Sequence, residues 1–271
     1  MSRKTQPIWS TRRKAIRQFC ASADKIHTLR AIESELAWLE TLGREKVIKT
    51  PGYCLGRNGR AIQCGNTNEM NNARLMVLFH FVDGDAPDES VDMVYGFQEL
   101  GAIAARCHDH AISWVKPKHF ERLTWDADAV FGPAATWGNW RDAPLVDRDI
   151  AEVLEEVEET VCARLAAFGK APERFNLIHA DMRLANLLVG QEGTRLIDFD
   201  DCGHGWFLYD FAASISCLEK RSAYPDIQSR VGPGVSVGSW LKCRGRGRDR
   251  DVHHVQKNGT IGADWQSHPS P

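Results

Sequence analysis

The sequence has no glycine before Gly43, no C-x-x-C pair, no run of 18 apolar residues and almost no net charge. Each absence excludes something. Lys plus Arg number 34 against 36 Asp plus Glu, a formal charge of -2, so the whole chain is not a dedicated binder of nucleic acid or of a membrane surface. The eight cysteines (20, 54, 64, 107, 162, 202, 217 and 243) lack paired spacing and any Cys/His spacing that would enclose zinc, and they read as reduced thiols of a cytoplasmic protein. Without a long apolar run, or an apolar stretch behind the charged start Met1-Ser2-Arg3-Lys4, neither a membrane span nor a leader is expected. What is present, 271 residues of which 43% are hydrophobic and 26% charged, suffices for one large core or for two lobes sharing a cleft.

Residues 1–28 are charged and show little periodicity, so no element is expected there. Leu29, Ile32, Leu36 and Leu39 then recur at helical steps, and Gly43 stands where a C-terminal cap belongs. The apolar run 75–81, followed by Asp83-Gly84-Asp85, reads as a buried strand ending in a turn. A second helix is expected over 91–111 and a third over 147–168. In the third, Ile150, Val153, Leu154, Val157, Val161 and Leu165 form the inward stripe, and five glutamates between 152 and 159 form a solvated face. Residues 175–199 switch to strand spacing, and 206–219 return to helix. From 221 onward no period survives, and the segment reads as poorly ordered.

The chemistry concentrates between Leu177 and Asp201. Two short apolar strands, 186–189 and 195–199, flank a turn at 190–194. Pairing Val189 with Arg195 puts Asn186 opposite Asp198, so an amide oxygen and a carboxylate converge on one point. Such hard oxygen donors suit Mg²⁺, which takes a few protein oxygens plus phosphates and water. Asp181, five residues before Asn186, is placed to accept a hydroxyl proton while the metal holds a nucleotide. A base, a metal-binding amide and a metal-binding carboxylate are the parts a phosphoryl transferase needs, because positioning and charge neutralisation supply most of its catalysis.

The pattern H-x-D-x-x-x-x-N (His179, Asp181, Asn186), followed by D-F-D (Asp198, Phe199, Asp200), resembles the aminoglycoside phosphotransferase and choline kinase-like family. Trp206-Phe-Leu-Tyr209-Asp210 and the stretch Leu100 to His108 look like two helices of the same family, and the resemblance spans about 29–219. It implies a protein-kinase-like α+β bilobal fold that transfers the γ-phosphoryl group of ATP, with Mg²⁺, to the hydroxyl of a small-molecule acceptor. On this likeness Asp181 is the catalytic base, and Asn186 and Asp198 are metal ligands, with Asp200 and Asp201 adding to the metal's field. His179 braces the loop, Arg183 faces the transferred phosphate, and Tyr209 and Asp210 are architectural. The backbone at 78–82, carrying Phe79 and Phe81, becomes the adenine-binding hinge, although an ordinary buried strand fits the same residues.

The expected N-lobe is truncated or degraded and the C-lobe mainly helical: 29–82 is a partial N-lobe, 83–220 the C-lobe, and 1–28 and 221–271 atypical ends. A kinase-like N-lobe brings a glycine-rich loop and a strand lysine paired with a helix glutamate. Glu35 is the candidate glutamate, with a partly exposed surface residue as the alternative. Lys25 is too close in sequence to be its partner, and no strand pattern surrounds Lys14. These departures leave open a non-catalytic relic from a frame-shifted gene copy and, on the same scaffold, a protein Ser/Thr kinase. The Arg-Gly tract 244–250 reads as a solvated tail, with RNA binding the weaker alternative. The clusters His108-Asp109-His110 and His253-His254 lack ligand-spaced partners and read as structural or surface residues.

Overall fold

The computed structural model describes the backbone of 16–19 and residues 28–65, 74–87 and 93–216. Strand β1 (Ile16–Phe19) lies where no element was expected. It pairs with β3 (Arg74–His80), which on its other edge carries β2 (Ile62–Gly65), giving an antiparallel sheet of order β1-β3-β2. Four residues with one polar neighbour per step are too few to register as a period, and pairing with β3 decides this strand. Lys14 and Lys25 lie outside the described residues.

Helix α1 (Leu29–Arg44) follows the predicted stripe, and Thr28 caps it by accepting the Ala31 amide at 3.0 Å. Ile32, Leu36, Trp38, Leu39 and Leu42 are buried in one core together with Val77 of β3 and with Leu100, Ile103 and Cys107 of α2 (Met93–Ser113). Leu177, Met182, Leu187 and Phe199 enter the same core, so the site-bearing segment packs directly under α1. Trp38 anchors this junction. Its ring meets Phe199 edge-on at 5.6 Å, and its indole nitrogen donates to His110 at 3.3 Å.

Beyond α2 come β4 (Leu123–Trp125), α3 (Ala127–Phe131) and α4 (Arg148–Phe168). The helix α4 has the predicted bounds, but only part of the predicted stripe faces the protein. Ile150, Val153 and Val157 are exposed. The Glu158 carboxylate instead packs inward, accepting from the Trp140 indole at 2.8 Å and from Arg141 at 3.0 Å. These two bonds to the preceding loop turn one glutamate inward, while Leu154, Val161 and Leu165 of the predicted stripe stay half-buried and the other four glutamates face solvent.

Strand β5 (Phe175–Ile178) precedes the hairpin of β6 (Leu187–Gly190) and β7 (Gly193–Leu196), and β8 (Gly203–Trp206) leads into α5 (Phe207–Ile215). The run 203–206 was not expected to be a strand. It is central to a sheet of order β4-β8-β5, parallel to β4 and antiparallel to β5. Glycine is required at 203 because a Cβ there would lie 2.5 Å from the Leu123 carbonyl oxygen. The expected tail, 221–271, lies outside the described residues. Among the described residues no helix is long and apolar enough to cross a membrane.

Candidate active site

Sequence order delivers the site as three consecutive pieces: a loop after β5, a hairpin, and a loop after β7. Strand β5 ends at Ile178, and His179 is fully buried behind it. The His179 Nε2 donates to the Ile197 carbonyl at 3.0 Å, while Nδ1 accepts the Asp181 amide at 3.3 Å. Burial holds this imidazole below its ordinary pKa, so it is neutral. The histidine thereby ties the first loop to the third.

Ala180 takes φ 68°, a conformation that costs an alanine about 1 kcal/mol or more. It is held there by Asp210 of α5, whose Oδ1 accepts the Ala180 amide at 2.7 Å and whose Oδ2 accepts the His179 amide at 3.1 Å. The His108 Nε2 donates to the same Oδ2 at 2.8 Å, stacked on Phe207. Asp210 is fully buried and uses both oxygens.

This turn presents Asp181. Its Oδ2 accepts from Asn186 Nδ2 at 2.9 Å and from Arg183 Nη2 at 2.9 Å, and Arg183 Nε lies 2.7 Å from Oδ1. The Arg183 Nη2 and Asn186 bonds hold the carboxylate in one orientation, with the guanidinium charge alongside. Arg183 is thus placed on the candidate base itself. Asn186 closes a single 3-10 turn at 184–186 and also donates Nδ2 to the Asp181 carbonyl at 2.8 Å. Both bonds use the amide nitrogen, which leaves Oδ1 as the side chain's acceptor.

The hairpin register differs from the expected one by one residue. Leu187 pairs with Leu196 and Val189 with Thr194, so the turn is the two residues Gln191-Glu192 and Asn186 stands beside Ile197. The cause is Gly193 at φ 97°, which permits a tight two-residue loop. Such a slip would send Asp198 to the opposite face. Asp198 itself takes φ 70°, leaving the strand geometry, and its carboxyl remains within electrostatic range of Asp181, Asp200 and Asp201.

Burial raises the Asp198 pKa well above the ordinary carboxyl range, and Asp200, Asp181 and Asp201 raise it further. Burial pushes Asp201 up to about 6, with Asp200 and Asp181 adding to the effect. Four carboxyl groups in mutual repulsion form a site that a cation would relieve. Among the described residues no three His, Cys, Asp or Glu side chains converge as a complete metal cage. The donors that remain, Asn186 Oδ1 with the carboxylates of Asp198 and Asp200, fit a hard cation that keeps water and phosphate oxygens in its shell.

A cleft opens between this acidic cluster and the N-terminal sheet. Ile32, Glu35 and Leu39 of α1 line one side and Val77 and Phe79 of β3 another, with Leu188, Asp198 and Asp200 beneath. Phe79 lies in the cleft, as expected. Phe81 does not: β3 ends at His80, so the alternation that aims Val77 and Phe79 inward is lost, and Phe81 is 37% exposed. Val82 lines the cleft instead. The connection is fixed just beyond, where Asp85 and Val189 exchange backbone bonds of 3.1 and 2.9 Å.

Glu35 is buried, as a helix partner should be, but a lysine is not its partner among the described residues. Its Oε2 lies 3.6 Å from Nη1 of Arg122. Burial pushes its pKa up to about 7 against the pull of Arg122. Arg122, in the loop before β4, was not singled out from the sequence, and no periodicity marks it. Trp125 was also missed: its indole donates to the Asp201 carbonyl at 2.8 Å, and its ring stacks on Trp137 at 4.8 Å and on Tyr209 at 6.1 Å.

Residues 8–232, most of the chain, match the family described as the phosphotransferase enzyme family (APH). The chain belongs to that family. Its phosphotransferase fold recurs in a solved microcompartment-associated aminopropanol kinase, 32% identical with TM-score 0.72, over 87% of this chain and 70% of that one. An amicoumacin kinase solved in complex with AMP-PNP, Ca²⁺ and Ami shares the fold at 17% identity and TM-score 0.60, over 90% of this chain and 74% of that one. The amicoumacin kinase of Bacillus subtilis (strain 168) is 24% identical over 193 residues, 69% of this chain. The chain spans about half of that relative's length, 53%. The protein-kinase-like α+β fold expected of this chain is therefore established.

Proposed function

We propose that the protein is an ATP- and Mg²⁺-dependent phosphotransferase acting on the hydroxyl of a small molecule. The observation that carries this is that Asp198 and Asp200 lie at the floor of a cleft roofed by an antiparallel sheet, with Asp181, itself bonded to Asn186, within electrostatic range of Asp198. In this reading β1, α1, β2 and β3 form the N-lobe, which therefore begins before the expected residue 29, and the elements from α2 onward form the C-lobe, with the nucleotide between them. Asn186, Asp198 and Asp200 would hold the metal, which when bound neutralises phosphate charge. Val77, Phe79 and Val82 supply the apolar surface for adenine.

Asp181 takes the acceptor's hydroxyl proton, the freed oxygen forms a bond to the γ-phosphorus, and the bond to the ADP oxygen breaks. Arg183 and Asn186 keep the carboxylate aimed, and His179 and Asp210 keep its loop in place. The acceptor would lie on the aromatic side of Asp201, against the exposed Trp137, which covers the buried Trp125. The similar aminopropanol kinase makes small amino alcohols the first acceptors to try, followed by aminoglycosides.

A thermal-shift titration with ATP, with and without Mg²⁺, tests the nucleotide site, since ligand at a hundred times its Kd adds about 2.7 kcal/mol. A Mg²⁺-dependent rise that vanishes in Asp198→Ala is expected. No rise at millimolar ATP would overturn the reading and leave a non-catalytic relic of the family. Assay of ATP consumption against a panel of amino alcohols, aminoglycosides and a protein Ser/Thr substrate then identifies the acceptor.

A further inference from the structure

Glu35 meets an arginine from the other side of the cleft, and that arginine does more than neutralise it. The Arg122 side chain is 1% exposed. Its Nε donates to the Cys202 carbonyl at 2.5 Å, and Nη1 donates to the Ala31 carbonyl at 3.0 Å while facing Glu35. Its Nη2 donates to the carbonyls of Phe199, at 3.5 Å, and Asp200. One planar group thus spans the first turns of α1 and three carbonyls of the loop that follows Asp198, those of Phe199, Asp200 and Cys202. The adjacent Glu121 adds to the same seam, its amide donating to Ser34 Oγ at 2.9 Å and its Oε1 accepting from Thr28 at 2.6 Å.

We propose that Arg122 is the positioning residue of the metal loop: it sets the place of 198–202 against α1, and so sets how well a metal-bound nucleotide is held. This rests on the phosphotransferase reading for its consequence, and on the hydrogen bonds alone for its cause. The backbone of Asp198 is in a left-handed conformation and four carboxyl groups crowd the loop, so the loop has reason to relax unless its carbonyls are pinned. A guanidinium offers five donors in a fixed fork, which matches carbonyls arriving from two elements. An ammonium offers one nitrogen and can meet only part of them. Residues that orient ligands from outside the metal's own shell typically change metal affinity 10- to 100-fold when lost.

The test compares the wild-type chain with Arg122→Lys and Arg122→Met by two measurements. Amide hydrogen exchange at 199–203 is followed in the free protein, and the affinity for ADP is measured by calorimetry with and without Mg²⁺. Arg122→Lys, which keeps a charge opposite Glu35, is expected to exchange faster at 199–203 and to lose tenfold or more of the Mg²⁺-dependent ADP affinity. Its Mg²⁺-free affinity should stay within about twofold. Arg122→Met should show the same pattern more strongly, and if it does not fold, the lysine variant decides alone. Wild-type exchange at 199–203 in Arg122→Lys overturns the proposal, as does an equal loss of affinity with and without Mg²⁺. If the wild-type chain itself gains no ADP affinity from Mg²⁺, the phosphotransferase reading falls, while the exchange data still decide whether Arg122 positions the loop.

Discussion

Asp210 Oδ1 holds the amide of Ala180 at 2.7 Å, and Ala180 is the residue whose φ of 68° turns the chain between His179 and Asp181. An acidic side chain on α5 therefore stores the conformation of the loop that presents the candidate base. Tyr209, its neighbour in sequence, sits on the other face of the helix against Trp125.

Replacing Asp210 by Asn keeps an oxygen but puts an NH₂ where either His108 or a backbone amide needs an acceptor. We expect a stability loss of about 3 kcal/mol, read as a lower urea midpoint with an unchanged slope. Turnover should fall with it, because the Ala180 turn relaxes. An unaltered midpoint would show that Asp210 does not hold the loop.

Asp181→Asn removes the proton acceptor while leaving Asn186 and Asp198 in place. Turnover is expected to fall by about 10²- to 10⁴-fold, with Mg²⁺-dependent ADP affinity within about twofold of wild type. Retained turnover would refute its assignment as the base.

The buried Glu35 gives stability a definite pH dependence. Its folded pKa, about 7, exceeds the ordinary 4.5 because burial raises it, Arg122 only partly offsets this, and Asp200, Asp198 and Asp201 add to it. The folded state then binds more protons than the unfolded state, so this contribution is complete below pH 4.5 and is lost as the pH rises toward 7. His179, His110 and His204, lowered by burial, act in the opposite direction but are shared with a Glu35→Gln variant. Wild-type stability minus that of Glu35→Gln should therefore decline between pH 4.5 and 7 in urea unfolding. Parallel curves would remove Glu35 as the source.

Gly84 takes φ 140°, and a Cβ there would lie 2.9 Å from the Val189 carbonyl group. Gly84→Ala is expected to cost about 1–3 kcal/mol by disturbing the Asp85–Val189 pairing. An unchanged thermal midpoint would mean that the linker is not held at this point.

The sequence by itself determined the helices α1, α2 and α4 and brought forward Asp181, Asn186 and Asp198 as candidates, because helical periods and short motifs are local properties of the chain. It also singled out His179, whose ring the fold then bonds to the Ile197 carbonyl. The tertiary structure decided what depends on partners distant in sequence. Strand β1 exists through β3, and the inward glutamate of α4 through Trp140 and Arg141. The hairpin register rests on one glycine's conformation, a detail that hydrophobic alternation does not encode. Arg122 lies 87 residues after Glu35 in sequence, and Asp210 lies 30 after Ala180. Asp210 sits in a motif that the resemblance already marked as architectural, whereas nothing local marks Arg122, and each gains its partners only when folding buries a charge against carbonyls or amides that water no longer reaches.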